Sequence, residues 1–264
     1  MKILVTFAVD AEFAPWLKRR AFSKSAAQRK SPYRSHRTSE YPVYADAIGS
    51  TDLRVVLTGM GDEAAKRTIN ALLDDWVPDI CITSGLAGST KPENKVGEVL
   101  VAEHVRASRL WRCKNLDPTL VELACTHGAK RVGYFLTSGH FIRQASEKQC
   151  MIGFADAVEM ESFQIVSAAT SRGIPVAAIR VVSDACDEDM PYDFARFVND
   201  EGWPSVSKAL WQLAKHPLGV FRLSRVVRQA RKSAEILADF FERLIPALIS
   251  EQDVVLSRSA ASIS

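Results

Sequence analysis

Acidic and small polar residues gather where the apolar segments of this sequence end. A carboxylate in such a place can cap a helix or close a turn, or it can act as a general acid or base. In an open α/β sheet, ligands bind in the crevice beyond the carboxyl ends of the strands. Three stretches each follow a predicted strand, and together they favour chemistry over capping: Asp10 with Glu12, the sequence SGLAGS at 84–89, and Ser183 with Asp184.

A fourth acidic stretch is AVEMES, in which Glu159 and Glu161 lie two residues apart ahead of an apolar helical pattern. Taken alone, these two acids are typical of the first turn of a helix, where they interact favourably with the helix dipole. Taken alone, Ser183-Asp184 is a turn, and Glu12 is an ordinary surface acid. A functional reading therefore depends on elements that bring the stretches together.

Alternating apolar strands and amphipathic helices predict an α/β layered fold with a mainly parallel sheet. Paired strands are expected at 41–49 and 52–61, because IGSTD between them has the residues of a hairpin turn. The other predicted strands are 2–9, 79–85, 96–105, 130–139 and 174–184. Helices are predicted over 62–76, 118–128 and 155–173, and 12–20 is a short helix or loop.

The predicted organisation is one catalytic domain over 1–190, with a mobile basic insertion at about 18–39. Two helical segments, 205–216 and 218–248, form a C-terminal extension over 191–249, and 250–264 is a flexible tail.

Composition narrows the class of protein. The chain has 264 residues with a net charge of +3, and no apolar run is long enough to span a bilayer. Its five cysteines are scattered, with no CxxC pair and no histidines clustered beside them, so we expect no disulfide scaffold and no metal site. The start of the chain is not a convincing signal peptide, and a reducing cytoplasm is the expected setting.

Basic residues are concentrated in two stretches. Residues 13–39 contain eight Lys or Arg and no acid, and residues 202–234 contain seven and no acid, so the rest of the chain carries a net charge of −12. Such stretches usually form a solvent-exposed surface and bind no specific partner. An anionic membrane face, a phosphate-bearing ligand and nucleic acid are the alternatives. Nucleic acid is the weakest, since no basic motif is interleaved with aromatics.

Six motifs stand in an order that resembles the nucleoside phosphorylase and nucleosidase superfamily. They are FAVDAE, VVLTGMGDEAA, CITSGLAGS with KVGEVLVA, TSGHFI, AVEMES and IRVVSD. In pattern they are most similar to the 5′-methylthioadenosine/S-adenosylhomocysteine nucleosidases. The resemblance covers about 1–185 apart from 18–39. It implies a three-layer fold with a central mixed, mainly parallel, twisted sheet flanked by helices, a homodimer, and no cofactor.

The resemblance also implies roles for individual residues in cleaving the N-ribosidic bond of a purine nucleoside. Asp184, held by Ser183, would protonate the leaving base, and Glu12 would activate a water. Glu161 would bind the ribose hydroxyls, with Glu159 and Met160 setting it in place. The remaining binding residues would be Phe141 and Ile142 for adenine, and the glycine turn Gly85, Leu86, Ala87 and Gly88, whose amides would approach the ligand.

Water and phosphate both remain open as the nucleophile. Phosphorylases of this superfamily usually carry an arginine before the glycine turn, and DICITSGLAGS has none. Glu12 would also repel an incoming phosphate. The residues Arg19, Arg20, Arg29 and Arg34 could instead fold over the site and bring phosphate to it.

The 80 residues after Asp184 depart from the nucleosidase pattern. They are similar to hopanoid-associated phosphorylases, which remove adenine from adenosylhopane. Basic residues near helical spacing in 208–232 would then contact the inner face of a membrane, although a helix packed on the fold explains them as well. Phe194 and Phe197 could cap the 5′ pocket. A catalytically silent nucleoside-binding protein is the alternative of another class.

Overall fold

The computed structural model describes residues 1–28, 40–108, 112–205, 207–208 and 220–261, with side chains except at 26–28, 40, 220–222 and 251–261. The strands are β1 (Lys2–Phe7), β2 (Ser23–Gln28), β3 (Glu40–Ile48), β4 (Thr51–Leu57), β5 (Ile80–Ser89), β6 (Val99–Ala107), β7 (Arg112–Asn115), β8 (Lys130–Thr137), β9 (Ala157–Glu159) and β10 (Val176–Asp184). The helices are α1 (Asp10–Leu17), α2 (Asp62–Asp75), α3 (Pro118–Thr126), α4 (Ala145–Gln149), α5 (Ser162–Thr170) and α6 (Val220–Ala261), with a 3-10 turn at Phe194–Phe197.

The strands form one mixed sheet, as predicted. At its centre β4, β1, β5 and β10 are parallel neighbours. Beyond them β10 runs antiparallel to β6, and the path β6, β8, β9 leads back to β5, so this half of the sheet closes on itself. Because β1, β5 and β10 are parallel, their carboxyl ends meet at one edge, where a ligand site is expected.

Helices cover both faces of the sheet, and α6 packs on the helix that follows β1. The strand residues Ile3, Leu4 and Val5 are fully buried, as expected of a central parallel strand. The ring of Phe241 in α6 stacks on Trp16 of α1, with the ring centroids 4.8 Å apart. The helix pair therefore belongs to the same hydrophobic core as the sheet.

Three predictions of local structure are wrong. Part of the basic insertion, Ser23–Gln28, is an edge strand paired antiparallel with β3, because an edge strand needs backbone partners more than it needs apolar side chains. The predicted helix at 155–173 begins only at Ser162, since Ala157–Glu159 is inserted as β9 between β5 and β8. The predicted flexible tail is helical as far as Ala261, where α6 ends.

One further expectation, the hairpin, is confirmed, and others lie outside the described ranges. The hairpin at 41–61 is present as β3 and β4. The helix predicted at 205–216 falls mostly on residues outside the description, as do Arg29 and Arg34. All five cysteines are free thiols. In the described part of the chain, no helix has the length and apolar character needed to cross a bilayer.

Candidate active site

A cavity of about 260 Å³ opens at the edge where the carboxyl ends of β1, β5 and β10 meet. The resemblance assigns roles to twelve residues, and eleven of them line this cavity. The twelfth, Gly85, lies directly behind Glu12. The fold therefore brings the four acidic and small-residue stretches to one place. Three carboxylates, from Glu12, Glu161 and Asp184, face this cavity from different elements.

Glu12 is supplied by the first turn of α1, immediately after β1. Its two carboxylate oxygens accept hydrogen bonds from the amides of Ala8 and Leu86, each at 2.9 Å. Burial raises the pKa of Glu12 above its ordinary value, although these amides and the nearby Arg180 oppose the shift. A buried carboxylate with a raised pKa is a stronger base than an exposed one, which suits proton abstraction.

The glycines at 85 and 88 make room for carboxylates. The predicted turn is wrong, because both glycines lie within strand β5, where the amide of Leu86 is directed at Glu12. The ligand-binding role of this segment stays a prediction. A Cβ at Gly85 would lie 2.9 Å from Glu12 Oε1, and Gly85 has a φ of +143°. A Cβ at Gly88 would lie 2.8 Å from Asp184 Oδ2. Larger residues would therefore displace the acids.

Glu161 lies at the junction of β9 and α5, beside Met160. Its Oε1 accepts a 2.7 Å hydrogen bond from the amide of Gly61, which follows β4 and has a φ of +95°. Burial, reinforced by the neighbouring charge of Glu159, raises the pKa of Glu161 from 4.5 to about 8. The remaining acceptor capacity of this carboxylate is available to a ligand with paired hydroxyl groups.

The carboxylate of Glu159 is bound by neighbouring groups of the protein. It accepts hydrogen bonds from the Thr137 hydroxyl and from the amides of Glu161 at 2.9 Å and Ser162 at 2.7 Å. It also forms a buried ion pair with Arg180 at 2.8 Å. With these donors in place, Glu159 fixes the backbone that presents Met160 and Glu161.

Asp184 ends β10 on the opposite side of the cavity. The hydroxyl of Ser183 lies 2.7 Å from Asp184 Oδ1 and 3.2 Å from the carbonyl oxygen of Ala87, so Ser183 bridges β10 and β5. The other oxygen, Oδ2, contacts the ammonium group of Lys148. Asp184 is therefore held from both sides, although it remains at the cavity wall.

An aromatic wall lies near Asp184. Phe141 and the buried Ile142 line the cavity, and Phe194 meets the Phe141 ring edge-on with the centroids 5.5 Å apart. Of the two phenylalanines expected to cap the pocket, Phe194 lines it, whereas Phe197 packs against Tyr192 and Phe194 behind it. His140 is at the rim with its side chain largely exposed.

Sequence reasoning missed several residues around the cavity. Arg180 could have been found, since it is a charged side chain with apolar neighbours on both sides in strand β10. Lys148 could not, because a lysine in SEKQC is typical of an exposed helix. Val226, Val227 and Ala230 of α6 complete the apolar wall, and their contribution depends on how a distant helix docks.

Comparison with known proteins identifies relatives. A family described as the phosphorylase superfamily matches residues 2–213. The chain is 25% identical over 189 residues to a 5′-methylthioadenosine/S-adenosylhomocysteine nucleosidase of an Exiguobacterium species, an alignment that covers 61% of this chain and 79% of the relative. It is 22% identical over 191 residues to the nucleosidase of the same name from a Shewanella species, covering 61% and 80%.

Solved structures with the same fold include two Helicobacter pylori enzymes. The 5′-methylthioadenosine/S-adenosylhomocysteine nucleosidase, solved with butyl-thio-DADMe-Immucillin-A, is 18% identical with a TM-score of 0.65, covering 92% of this chain and 99% of that one. Futalosine hydrolase is 17% identical with a TM-score of 0.65, covering 92% and 98%.

Proposed function

Because the chain belongs to the phosphorylase superfamily, we propose that it is a nucleosidase, an enzyme that hydrolyses the N-ribosidic bond of an adenine nucleoside substituted at the 5′ position. The observation that carries this proposal is the convergence of Glu12, Glu161 and Asp184 on one largely apolar cavity. The curated relatives that carry the nucleosidase name support the reaction class.

The chemistry requires charge to be stabilised on both fragments. The C1′–N9 bond breaks through an oxocarbenium-like transition state, and the departing purine carries the electron pair away. A hydrogen-bond donor at the purine N7 lowers this barrier, and the Asp184 carboxyl is proposed for that role. Its anchoring by Ser183 keeps it aimed into the cavity.

The ribose is proposed to bind between the β4–α2 junction and the start of α5. Two adjacent hydroxyl groups match the two oxygens of one carboxylate, and Glu161 presents such a carboxylate at the cavity wall. Met160, which also lines the cavity, would pack against the sugar ring. The adenine would lie against Phe141 and Ile142, with the Phe141 ring stacking on the base.

Water is the proposed nucleophile, with Glu12 as its base. Among the described residues that line the cavity, none is an arginine or a lysine that could bind phosphate. Arg19 and Arg20, which could have brought phosphate, form ion pairs with Asp239 and Glu242 of α6. Phosphorolysis is the alternative, and it would need a phosphate site outside the described residues.

The direct experiment is to measure adenine release by chromatography from 5′-methylthioadenosine, S-adenosylhomocysteine and adenosine, each with and without phosphate. We expect release with free ribosyl product and no phosphate requirement. Asp184→Asn is the matched inactive control, since it keeps the size of the side chain. Strict dependence on phosphate would replace hydrolysis by phosphorolysis. Tight binding of the nucleosides with no turnover would indicate a silent binding protein instead.

A lipid-linked nucleoside is a second candidate substrate, favoured by the surface of α6 beside the cavity. Val227 lines the cavity and is nevertheless 54% exposed, and Arg225, Arg228 and Lys232 are exposed close to it along the helix. Basic residues around an apolar contact are suited to an anionic bilayer surface. Salt-sensitive co-sedimentation with phosphatidylglycerol vesicles, lost on reversing the three charges, is expected if the candidate is correct.

A homodimer is proposed as the working form. Ile152 and Phe154 are 52% and 51% exposed on the segment between α4 and β9, an apolar surface that a second copy would cover. Light scattering coupled to size-exclusion chromatography should give twice the chain mass of 29.2 kDa. The pair Ile152→Asp and Phe154→Asp should shift the protein to the monomer mass if this surface is the contact.

A further inference from the structure

A buried ammonium group lies behind the proposed acid. Lys148 is completely inaccessible to solvent, and its Nζ contacts Asp184 Oδ2. The carbonyl oxygens of Ala185 and Glu188 lie 2.9 and 3.0 Å from the same nitrogen. All three ammonium hydrogens therefore have acceptors. A charge this deeply buried is costly unless it is fully paired, and a function beyond packing would explain its presence.

The elements around Lys148 hold it in place. Helix α4 carries it, and the amide of Ala145 at the start of that helix donates to Asp189 at 2.8 Å. On the other side, Gln229 of α6 donates to the carbonyl of Ser183 at 2.8 Å and to the Glu188 carboxylate at 2.9 Å. The loop after β10 is thus fixed from both directions, and Lys148 cannot swing away without losing several contacts.

The hydrogen bonds on Asp184 raise the question of where its proton comes from. One oxygen faces the Ser183 hydroxyl and the other faces the Lys148 ammonium, which is the pattern of an ionised carboxylate accepting from both sides. An ionised carboxylate has no proton to donate to a leaving purine. Among the described groups that are hydrogen-bonded to Asp184, Lys148 is the one that carries a cationic proton.

We propose that Lys148 is a positioning residue that aims Asp184 and supplies, through it, the proton taken up by the leaving base. This rests on the proposed nucleosidase function. As the C1′–N9 bond breaks, its electron pair passes to the purine. The Lys148 ammonium transfers a proton to the Asp184 carboxylate and becomes a neutral amine, and Asp184 passes a proton to N7 and returns to a carboxylate. The attacking water gives its proton to Glu12. After the products leave, Glu12 releases this proton to solvent and the Lys148 amine takes one up.

The test compares two leaving groups. Adenine must be protonated as it departs from 5′-methylthioadenosine, whereas 4-nitrophenolate leaves a 4-nitrophenyl 5-methylthioriboside without needing a proton. In Lys148→Met we expect kcat for adenine release to fall by about 10²–10⁴-fold. We expect nitrophenolate release to change by only a few-fold. Lys148→Arg keeps the cation, but its guanidinium cannot give up a proton, so we expect adenine release to stay as low as in Lys148→Met.

Matched variants separate this role from simple support of the fold. Lys91→Met removes another lysine–carboxylate pair, with Asp156, neither of which lines the cavity, and it should leave both activities unchanged. If Lys148→Met does not fold, Lys148→Gln, which keeps a hydrogen-bond donor, takes its place in the same comparison. Circular dichroism and nucleoside binding establish that each variant is intact.

The outcomes are distinguishable. An equal loss on both substrates, or no loss of adenine release, would overturn the inference while the nucleosidase function stands. A wild-type protein that releases neither adenine nor nitrophenolate would contradict the proposed function, and this inference with it. A selective loss of adenine release that the arginine variant does not recover is the result we expect, and recovery in that variant would overturn the proton supply from Lys148.

Discussion

Replacing Glu161 by glutamine should stabilise the free protein at neutral and alkaline pH while it weakens ribose binding. In the folded chain the pKa of Glu161 is about 8 instead of 4.5, because the carboxyl group is buried beside Glu159. The pKa of Glu161 is higher in the folded chain than in the unfolded chain. The contribution of Glu161 to the free energy of unfolding is therefore complete below pH 4.5, and it is lost progressively as the pH rises to about 8.

The size of the effect follows from the shift. Each pKa unit corresponds to about 1.4 kcal/mol, so ionising Glu161 lowers the free energy of unfolding by at most about 4–5 kcal/mol. Glutamine retains an acceptor for the Gly61 amide and carries no charge. Its advantage over the wild type should therefore be small at pH 4.5 and reach several kcal/mol at pH 8.5, roughly 10 °C in Tm.

Two measurements check this reasoning. Thermal unfolding of both proteins from pH 4.5 to 8.5 should give Tm curves that diverge as the pH rises. Calorimetric titration of Asp184→Asn, a variant that retains substrate, with 5′-methylthioadenosine at pH 7 should release up to one proton as Glu161 ionises against the ribose. Adding Glu161→Gln should abolish that release. Parallel Tm curves, or binding without proton release, would refute the assignment of a neutral, buried Glu161 in the free protein.

Three further predictions concern neighbouring contacts. Glu12→Gln should reduce kcat by about 10²–10⁴-fold with nucleoside binding retained. Because burial raises the pKa of Glu12, the kcat of the wild type should begin to decline at a higher pH than it would with an ordinary glutamate as the base. Gly88→Ala should impair turnover far more than Tm. Gly133→Ala in β8, where a Cβ would lie 3.4 Å from Asp156 Oδ2 in ordinary contact, should change neither. Arg180→Met should destabilise by about 3–5 kcal/mol in chemical denaturation, and adding Glu159→Gln should recover part of that loss.

The sequence predicts the strand and helix order well because the central strands are largely apolar runs between turn residues. It fails where tertiary pairing overrides local pattern. Val158 belongs to a stretch with helical periodicity, yet β5 and β8 supply hydrogen-bond partners on both sides and draw Ala157–Glu159 into the sheet. Ser23–Gln28 is an edge strand for a similar reason, since β3 provides its partners.

The cavity was predictable to the extent that its residues follow strand ends. Glu12, Glu161 and Asp184 could be placed together because parallel strands share one carboxyl edge. The supporting groups could not. Lys148 reaches Asp184 from a five-residue helix 36 positions earlier in the chain, and Gln229 reaches Ser183 from 46 positions later. Neither contact leaves any periodicity or spacing in the sequence.

The docking of α6 on α1 has a consequence for how the protein comes to be active during synthesis. Trp16 donates from its indole to Glu242, a partner 226 residues further along the chain, at 2.7 Å. The helix that carries Glu12 therefore lacks its packing partner until α6 has left the ribosome. Contacts of such long sequence separation also form slowly. We expect ribosome-bound chains that stop before α6 to be inactive, and activity to appear only after most of that helix has emerged.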